Sequence, residues 1–297
     1  MPQKKVKYQK RNPQPTPPAE IKPKKVSKKP AKSKDKKPGF MMSMLIRLAE
    51  SKHNKAIPYY ILGALVLVVG LTVFFGMYTP SAKAEVFDPN LQISEPANGE
   101  EIAVMQTSEG VIKMRFFEKQ APRAVENFKT HAKEGYYNGV LFHRVINDFM
   151  IQTGDPKGDG TGGESIWGGS FEDEFSPSLV NLRGSVSMAN GGPGTNGSQF
   201  FINQASPANV EGFRSTDAEA FALYPQEIQD RYLSRGGNPN LDGAYNADGG
   251  GHTVFAQVIE GMDIVDAIAA AETGEQDKPV KNIKIESISI EPYVKAG

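Results

Sequence analysis

Residues 139–155 read GVLFHRVINDFMIQTGD. Two short runs, Gly139–Arg144 and Phe149–Gln152, fit β-strands, and glycines at either end fit turns. The same rhythm continues outward. Upstream, Ile102–Met105 and Val111–Phe117 alternate apolar residues around Ser108-Glu109-Gly110, as a hairpin would. Pro122 then opens a helical pattern with Ala121, Val125, Phe128 and Ala132 on one face, ending at Gly135. Downstream come strands over Ser185–Met188, Phe200–Asn203 and Thr253–Val258, a second helix over Met262–Ala271, and the strictly alternating Ile283–Ile290. Many short strands with two helices predict a mainly β domain, a closed antiparallel barrel capped by those helices. No internal repeat is present.

Residues 208–250 interrupt this rhythm. Ala218–Ser234 is helix-like with a break near Pro225, and Gly236–Gly251 is rich in Gly, Asn and Asp. The segment is an insertion between two strands. It is either a decorated surface loop or a wall of a binding site.

The chain has 297 residues and a net charge of zero, which hides an asymmetry. Residues 1–55 hold 17 Lys/Arg and 3 Asp/Glu; the rest hold 17 and 31. Residues 1–39 are rich in Lys and Pro and poor in apolar groups, so they predict a disordered tail. Such a tail either attracts anionic lipid or is simply solvated, and without interleaved aromatics it gives no reason to expect nucleic acid. Residues 40–55 include FMMSMLIRLAE, which fits an interfacial helix. Ile57–Tyr78 is an uncharged run of 22 residues with tyrosines and phenylalanines at its ends. That length and pattern predict one transmembrane helix, with the basic tail cytoplasmic and the remainder extracytoplasmic. Ala82-Lys83-Ala84 also fits a signal-peptidase site, so release after Ala84 is the alternative to a retained anchor. Residues 79–100 then read as a linker and 101–293 as the domain. The absence of cysteine excludes disulfides, thiol catalysis and zinc-thiolate sites.

Several familiar chemistries fall away. Gly158–Gly163 matches G-x-G-x-x-G, but Glu-Ser-Ile-Trp-Gly-Gly follows and cannot open a helix. His53, His131, His143 and His252 show no metal-ligand spacing, so no metal is expected, and nothing calls for a cofactor. Asp155, Asp159 and Asp248 lack calcium-loop spacing.

What remains is a series of strings: Phe142-His143-Arg144, Asp148–Asp155, Gly160–Gly163, Phe171–Glu174, Ser187–Asn190, Asn196–Ile202 and His252–Phe255. Their order and spacing resemble the cyclophilin family of peptidyl-prolyl cis/trans isomerases, over roughly residues 102–291. The resemblance implies an eight-stranded antiparallel barrel with two helices and an X-Pro peptide bond as substrate.

It also implies site residues. Arg144 matches the catalytic arginine, which would donate to the prolyl nitrogen in the twisted state. Phe149, Met150 and Phe201 match the proline pocket, although alternate strand residues must face a core in any case. Gln152 and Asn190 match groups that bond the substrate backbone, with Ala189 and Gly191 lining the groove. Gln199 would orient Arg144, and His252 matches a histidine at the rim. Leu241, in Asn240-Leu241-Asp242-Gly243, would complete the pocket, with its register against His252 left open by the residues between them. Asn240 stands where many members have the tryptophan that contributes to cyclosporin binding, so weak cyclosporin binding is expected; the only tryptophan is Trp167. The implied partners are proline-containing clients, with membrane lipid around the anchor. The implied role is folding of exported proteins in a bacterial-like envelope. The alternative is a proline-segment binding module, or holdase, with little turnover.

Overall fold

A computed structural model describes residues 85–246 and 249–295. The basic tail, the segment 40–55 and the apolar run 57–78 lie outside the described residues. Among the described residues no helix is long and apolar enough to cross a membrane.

Eight strands form one antiparallel sheet: β1 Glu101–Thr107, β2 Gly110–Phe116, β3 Arg144–Ile146, β4 Met150–Thr153, β5 Ser185–Met188, β6 Phe200–Asn203, β7 Val254–Glu260 and β8 Ile285–Pro292. Their lateral order is β3-β4-β6-β5-β7-β2-β1-β8. The expected closed barrel is corrected to a half-barrel, because β3 and β8 do not pair as strands. The expected strand Gly139–Arg144 is a seam instead. Leu141 makes an isolated bridge to Lys284, flanked by Gly139 N to Ile285 O at 2.8 Å and Phe142 N to Ile283 O at 2.9 Å. Gly139 sits at φ 82°, a left-handed conformation that no strand continues through. Regular pairing therefore resumes only at Arg144.

Two helices close the half-barrel as expected. α1, Pro122–Lys133, starts with Pro at its first turn and buries Ala124, Val125, Phe128 and Ala132. Its own first turn has no acidic residue; the Glu174 carboxylate accepts from Arg123 N at 3.1 Å and Ala124 N at 3.0 Å. Free N–H groups at a helix start need such an acceptor, which explains part of the Phe171–Glu174 string. The Phe128 ring lies 5.2–5.7 Å from Phe116, Tyr137, Phe200 and Phe255, forming an aromatic centre to the core. A helix over Met262–Ala269 covers another part of the same core.

The insertion folds on itself. It holds α2 Pro207–Thr216, α3 Ala218–Phe221 and α4 Gln226–Arg235, then a 3-10 turn Pro239–Leu241; α5, Met262–Ala269, follows β7. The break near Pro225 separates α3 from α4 as expected. α2 adds a helix to the expected insertion, with Ser206-Pro207 as its start signal. Val210, Phe221, Tyr224, Ile228 and Tyr232 pack with Val180 and Leu182 in a second buried cluster.

The expected linker is also corrected. Residues 85–100 are fastened to the domain rather than free. Gln92 is buried, with its amide donating to Val180 O at 2.7 Å and accepting from Val180 N at 3.1 Å. Arg115 donates to Ser94 O at 2.8 Å and pairs with Glu100 at 3.1 Å. These hydrogen bonds satisfy backbone groups that a loose linker would leave to water.

Candidate active site

Strand register builds the site. Arg144 on β3 is opposite Gln152 on β4. Gln152 is opposite Phe201 on β6, and Phe201 is opposite Ser187 on β5. Directly opposed residues project from the same face, so these four side chains form one row across four strands. A second row, two residues along, contains Ile146, Met150 and Asn203. The intervening residues Val145, Ile151, Phe200, Ile202 and Val186 all lie in the barrel core. Met150 and Phe201 are buried at 2% and 4% exposure, yet they project from the face opposite that core. The structure thereby places both on the face away from the barrel core, which spacing alone left open.

Arg144 is 43% exposed in its side chain, and its Nε faces Asp277 at 3.5 Å. Among the described residues no hydrogen bond takes its terminal amino groups, so they remain available to a ligand. Asp277 was not singled out in the sequence. It lies in the loop before β8, where Gln276 and Asp277 both have left-handed φ values, 59° and 57°. Two consecutive non-glycine residues in that region are uncommon, and this is the only signal that marks the loop.

Gln199 is corrected from its expected partner. It does not hold Arg144: its Oε1 accepts from Gln152 Nε2 at 2.9 Å, and its own amide donates to Gly160 O and Gly162 O at 3.0 and 2.8 Å. Gln199 therefore orients Gln152 and fixes the glycine loop. That loop wraps the buried Asp155, whose carboxylate accepts from Lys157 N and Gly160 N at 2.8 and 2.7 Å. Those N–H groups are occupied by Asp155, so the chance dinucleotide pattern makes no phosphate cradle.

Gln152, Ala189, Asn190, Gly191 and Gln199 line a groove of about 300 Å³ together with Gly160, Gly162 and Gly163. Asn190 directs its amide to Gly251 O at 2.9 Å. Its side chain thus ties the groove to the rim.

The rim is His252. Its ring stands edge-on to Phe201, with centroids 5.1 Å apart and planes at 87°. Nδ1 lies 2.9 Å from Met188 O. A carbonyl only accepts, so Nδ1 carries the proton and Nε2 is left with its lone pair. Burial lowers the His252 pKa, outweighing the Met188 bond that raises it, which favours the neutral ring.

Leu241 joins this group through the backbone. His252 N donates to Leu241 O at 3.0 Å. A side chain on Gly251 would come within 2.4 Å of Gly243 backbone atoms, so glycine at both positions lets the two segments meet. The register left open by the sequence is thereby closed. Phe149 is half-buried at the start of the turn into β4, and its carbonyl accepts from Gln204 N at 2.9 Å and Asn238 Nδ2 at 3.1 Å. Among the described residues no group of three or more His, Asp or Glu side chains is placed to hold a metal ion.

Comparison with known proteins agrees with this geometry. The family model for cyclophilin type peptidyl-prolyl cis-trans isomerases matches residues 102–290. The chain belongs to the cyclophilin family. Two relatives carry the name "Putative peptidyl-prolyl cis-trans isomerase". The one from Staphylococcus aureus (strain COL) is 51% identical over 199 residues, 66% of this chain and 95% of the relative. The one from Staphylococcus saprophyticus is 50% identical over 200 residues, 67% and 96% respectively. A crystal structure of a cyclophilin from Cryptosporidium parvum is 31% identical with a TM-score of 0.51, covering 65% of this chain and 99% of the other. The same cyclophilin in the presence of the dipeptide Ala-Pro is 30% identical with a TM-score of 0.50 over the same shares. The domain over β1–β8 is a cyclophilin-type peptidyl-prolyl cis-trans isomerase.

Proposed function

We propose that this cyclophilin is a single-pass membrane protein whose extracytoplasmic domain accelerates proline-limited folding of exported polypeptides. The isomerase part rests above all on the row Arg144–Gln152–Phe201 with His252 against Phe201. The membrane part rests on sequence: the uncharged run Ile57–Tyr78 and the basic excess before it.

An X-Pro bond crosses a barrier of about 18–20 kcal/mol because the amide nitrogen lone pair is delocalised into the carbonyl. Localising that pair on nitrogen lowers the barrier. Met150, Phe201 and Leu241 hold the proline ring, with Phe149 at the edge of the pocket. Arg144 then donates to the prolyl nitrogen and the neighbouring carbonyl as the bond twists. This interaction strengthens only as the lone pair localises, so it acts on the transition state. Gln152 bonds the substrate backbone, while Ala189, Asn190 and Gly191 line the groove for the residues before proline. Rotation transfers no proton, so a neutral His252 serves as a wall and acceptor and not as an acid or base.

Asn240 is exposed and offers no aromatic surface, and Trp167 is instead engaged with Arg123, whose guanidinium lies 4.6 Å from its ring. Cyclosporin binding is therefore weak. Inhibition as tight as in tryptophan-bearing members would contradict this assignment.

The test is isomerisation of a short X-Pro peptide by the full-length protein beside Arg144→Ala. Acceleration lost in the variant supports the reading. Acceleration retained in the variant overturns the role of Arg144, and peptide binding with no acceleration in either protein makes the chain a proline-segment binding module. Protease access to the domain in intact cells tests the orientation.

A further inference from the structure

The face that carries Phe201 continues into a buried polar network. Asn203 lies on the same strand, two residues on from Phe201, and Ser187 is opposite Phe201 across the sheet. Asn203 Nδ2 donates to Ser185 Oγ at 2.6 Å and to Asn181 Oδ1 at 3.1 Å, and Ser187 Oγ donates to Asn181 Oδ1 at 2.7 Å. Asn181 in turn donates twice to Asp242 Oδ1, from N at 2.6 Å and Nδ2 at 2.8 Å. The other carboxyl oxygen accepts from Tyr232 on α4 at 2.6 Å. All of these side chains are 2% exposed or less.

This network brackets Leu241. Before it, Asn238 Nδ2 donates to Asn203 Oδ1 at 2.6 Å and to Phe149 O at 3.1 Å. After it, Asp242 is held between Asn181 and Tyr232 of α4. Between those two anchors the Leu241 carbonyl accepts from His252 N. The Leu241 segment is thus held at both ends, through Asn238 to Asn203 and Phe149 and through Asp242 to Asn181 and to Tyr232 on α4.

We propose that the insertion controls proline binding through the Tyr232–Asp242–Asn181 link, making Asp242 and Tyr232 positioning residues for Leu241 and the His252 rim. This rests on the isomerase reading above and assigns the insertion its role in that site. Asp242 is the titratable group in the link. Burial raises its carboxyl to about 7 against the opposing pull of Tyr232 and Asn181. The ionisable groups facing it are Tyr232, Tyr224 and Tyr245, all held protonated by burial. Ionised Asp242 accepts every bond offered to it. Protonated, it confronts the Tyr232 hydroxyl with a second O–H, and the link loosens. Acidification across neutrality therefore weakens proline binding while leaving Arg144 chemistry intact.

The experiment measures KM and kcat of the full-length protein on an Ala-Pro peptide, with the Kd of the same peptide by calorimetry. Tyr232→Phe raises KM about fivefold with kcat held within about twofold. Asp242→Asn removes the rise in KM between about pH 8 and pH 6, and any pH dependence left belongs to His252. Unchanged KM and Kd in both variants, with an active parent, overturns this inference alone. A fall in kcat at constant KM, the signature of less folded protein, also overturns it. A parent that binds the peptide without turnover removes the isomerase reading, and the inference is then decided by Kd. A parent that neither binds nor turns over the peptide overturns both.

Discussion

The half-barrel and the insertion are stabilised by opposite chemistry. The barrel core is apolar and centred on aromatic rings: Phe128 is ringed by Phe116, Tyr137, Phe200 and Phe255. The insertion packs Val210, Phe221 and Ile228 against Val180 and Leu182, and its side facing the barrel is a hydrogen-bonded set centred on a buried carboxyl. An apolar core has one good arrangement and no response to pH. A buried carboxyl holds its partners only in one protonation state. Arg144 stands on the first region, and the Leu241 backbone that meets His252 belongs to the second. Under the proposed function, the division would separate a fixed reaction geometry from an adjustable binding wall.

The most severe way to break this comparison is Phe128→Ala. It costs about 3–5 kcal/mol of stability, read by denaturant unfolding. A cost near that of a surface change would mean the barrel is not organised around this ring. Next, Arg144→Ala lowers kcat about a hundredfold while the unfolding midpoint stays put, since the side chain is half-exposed on the site face. An accompanying collapse in stability would place Arg144 in the framework instead.

Asp242→Asn sharpens the contrast through pH. The folded carboxyl is raised to about 7, above its unfolded value. Between those values the folded state binds more protons, so this group's contribution to stability falls as pH rises from about 4 to 7 and then levels. Burial lowers His131, His143 and His252, which act in the opposite sense below their unfolded values. The melting temperature of Asp242→Asn minus that of the parent therefore increases from about pH 4 to 7, because the histidines cancel in the difference. A difference that is flat with pH would remove Asp242 from the buried set. The smallest effect is Asp277→Asn. An exposed pair at 3.5 Å contributes under about 1 kcal/mol, so kcat/KM changes by less than about fivefold, and less still at high salt. A larger, salt-resistant change would show that Asp277 aims the arginine.

Much of the barrel was legible in the chain because strand and helix patterns are local. The alternation over Ile283–Ile290 and the apolar face of Pro122–Lys133 require no knowledge of distant residues. The seam at Gly139–Leu141 was not legible, because a run that looks like a strand becomes one only if its neighbour pairs with it. The arm at 85–100 was not legible for a related reason. Its composition is that of a linker, and only Val180 and Arg115, far along the chain, give its polar groups somewhere to bond.

For the site, the sequence by itself determined which residues are present and that Met150 and Gln152, two apart on one strand, share its face. It could not say which face is the core, because that is decided by what packs on each side. Tertiary structure decided that Met150 and Phe201 face the site, that Gln199 holds Gln152 and not Arg144, and that Asp277 stands beside the arginine. It also decided that Leu241 meets His252 across the end of the insertion, and that Asp242 is buried between Tyr232 and Asn181. Each of these is a contact between segments distant in the chain. Local pattern carries no record of such contacts, since they form only when the whole sheet has curved and the insertion has folded onto it.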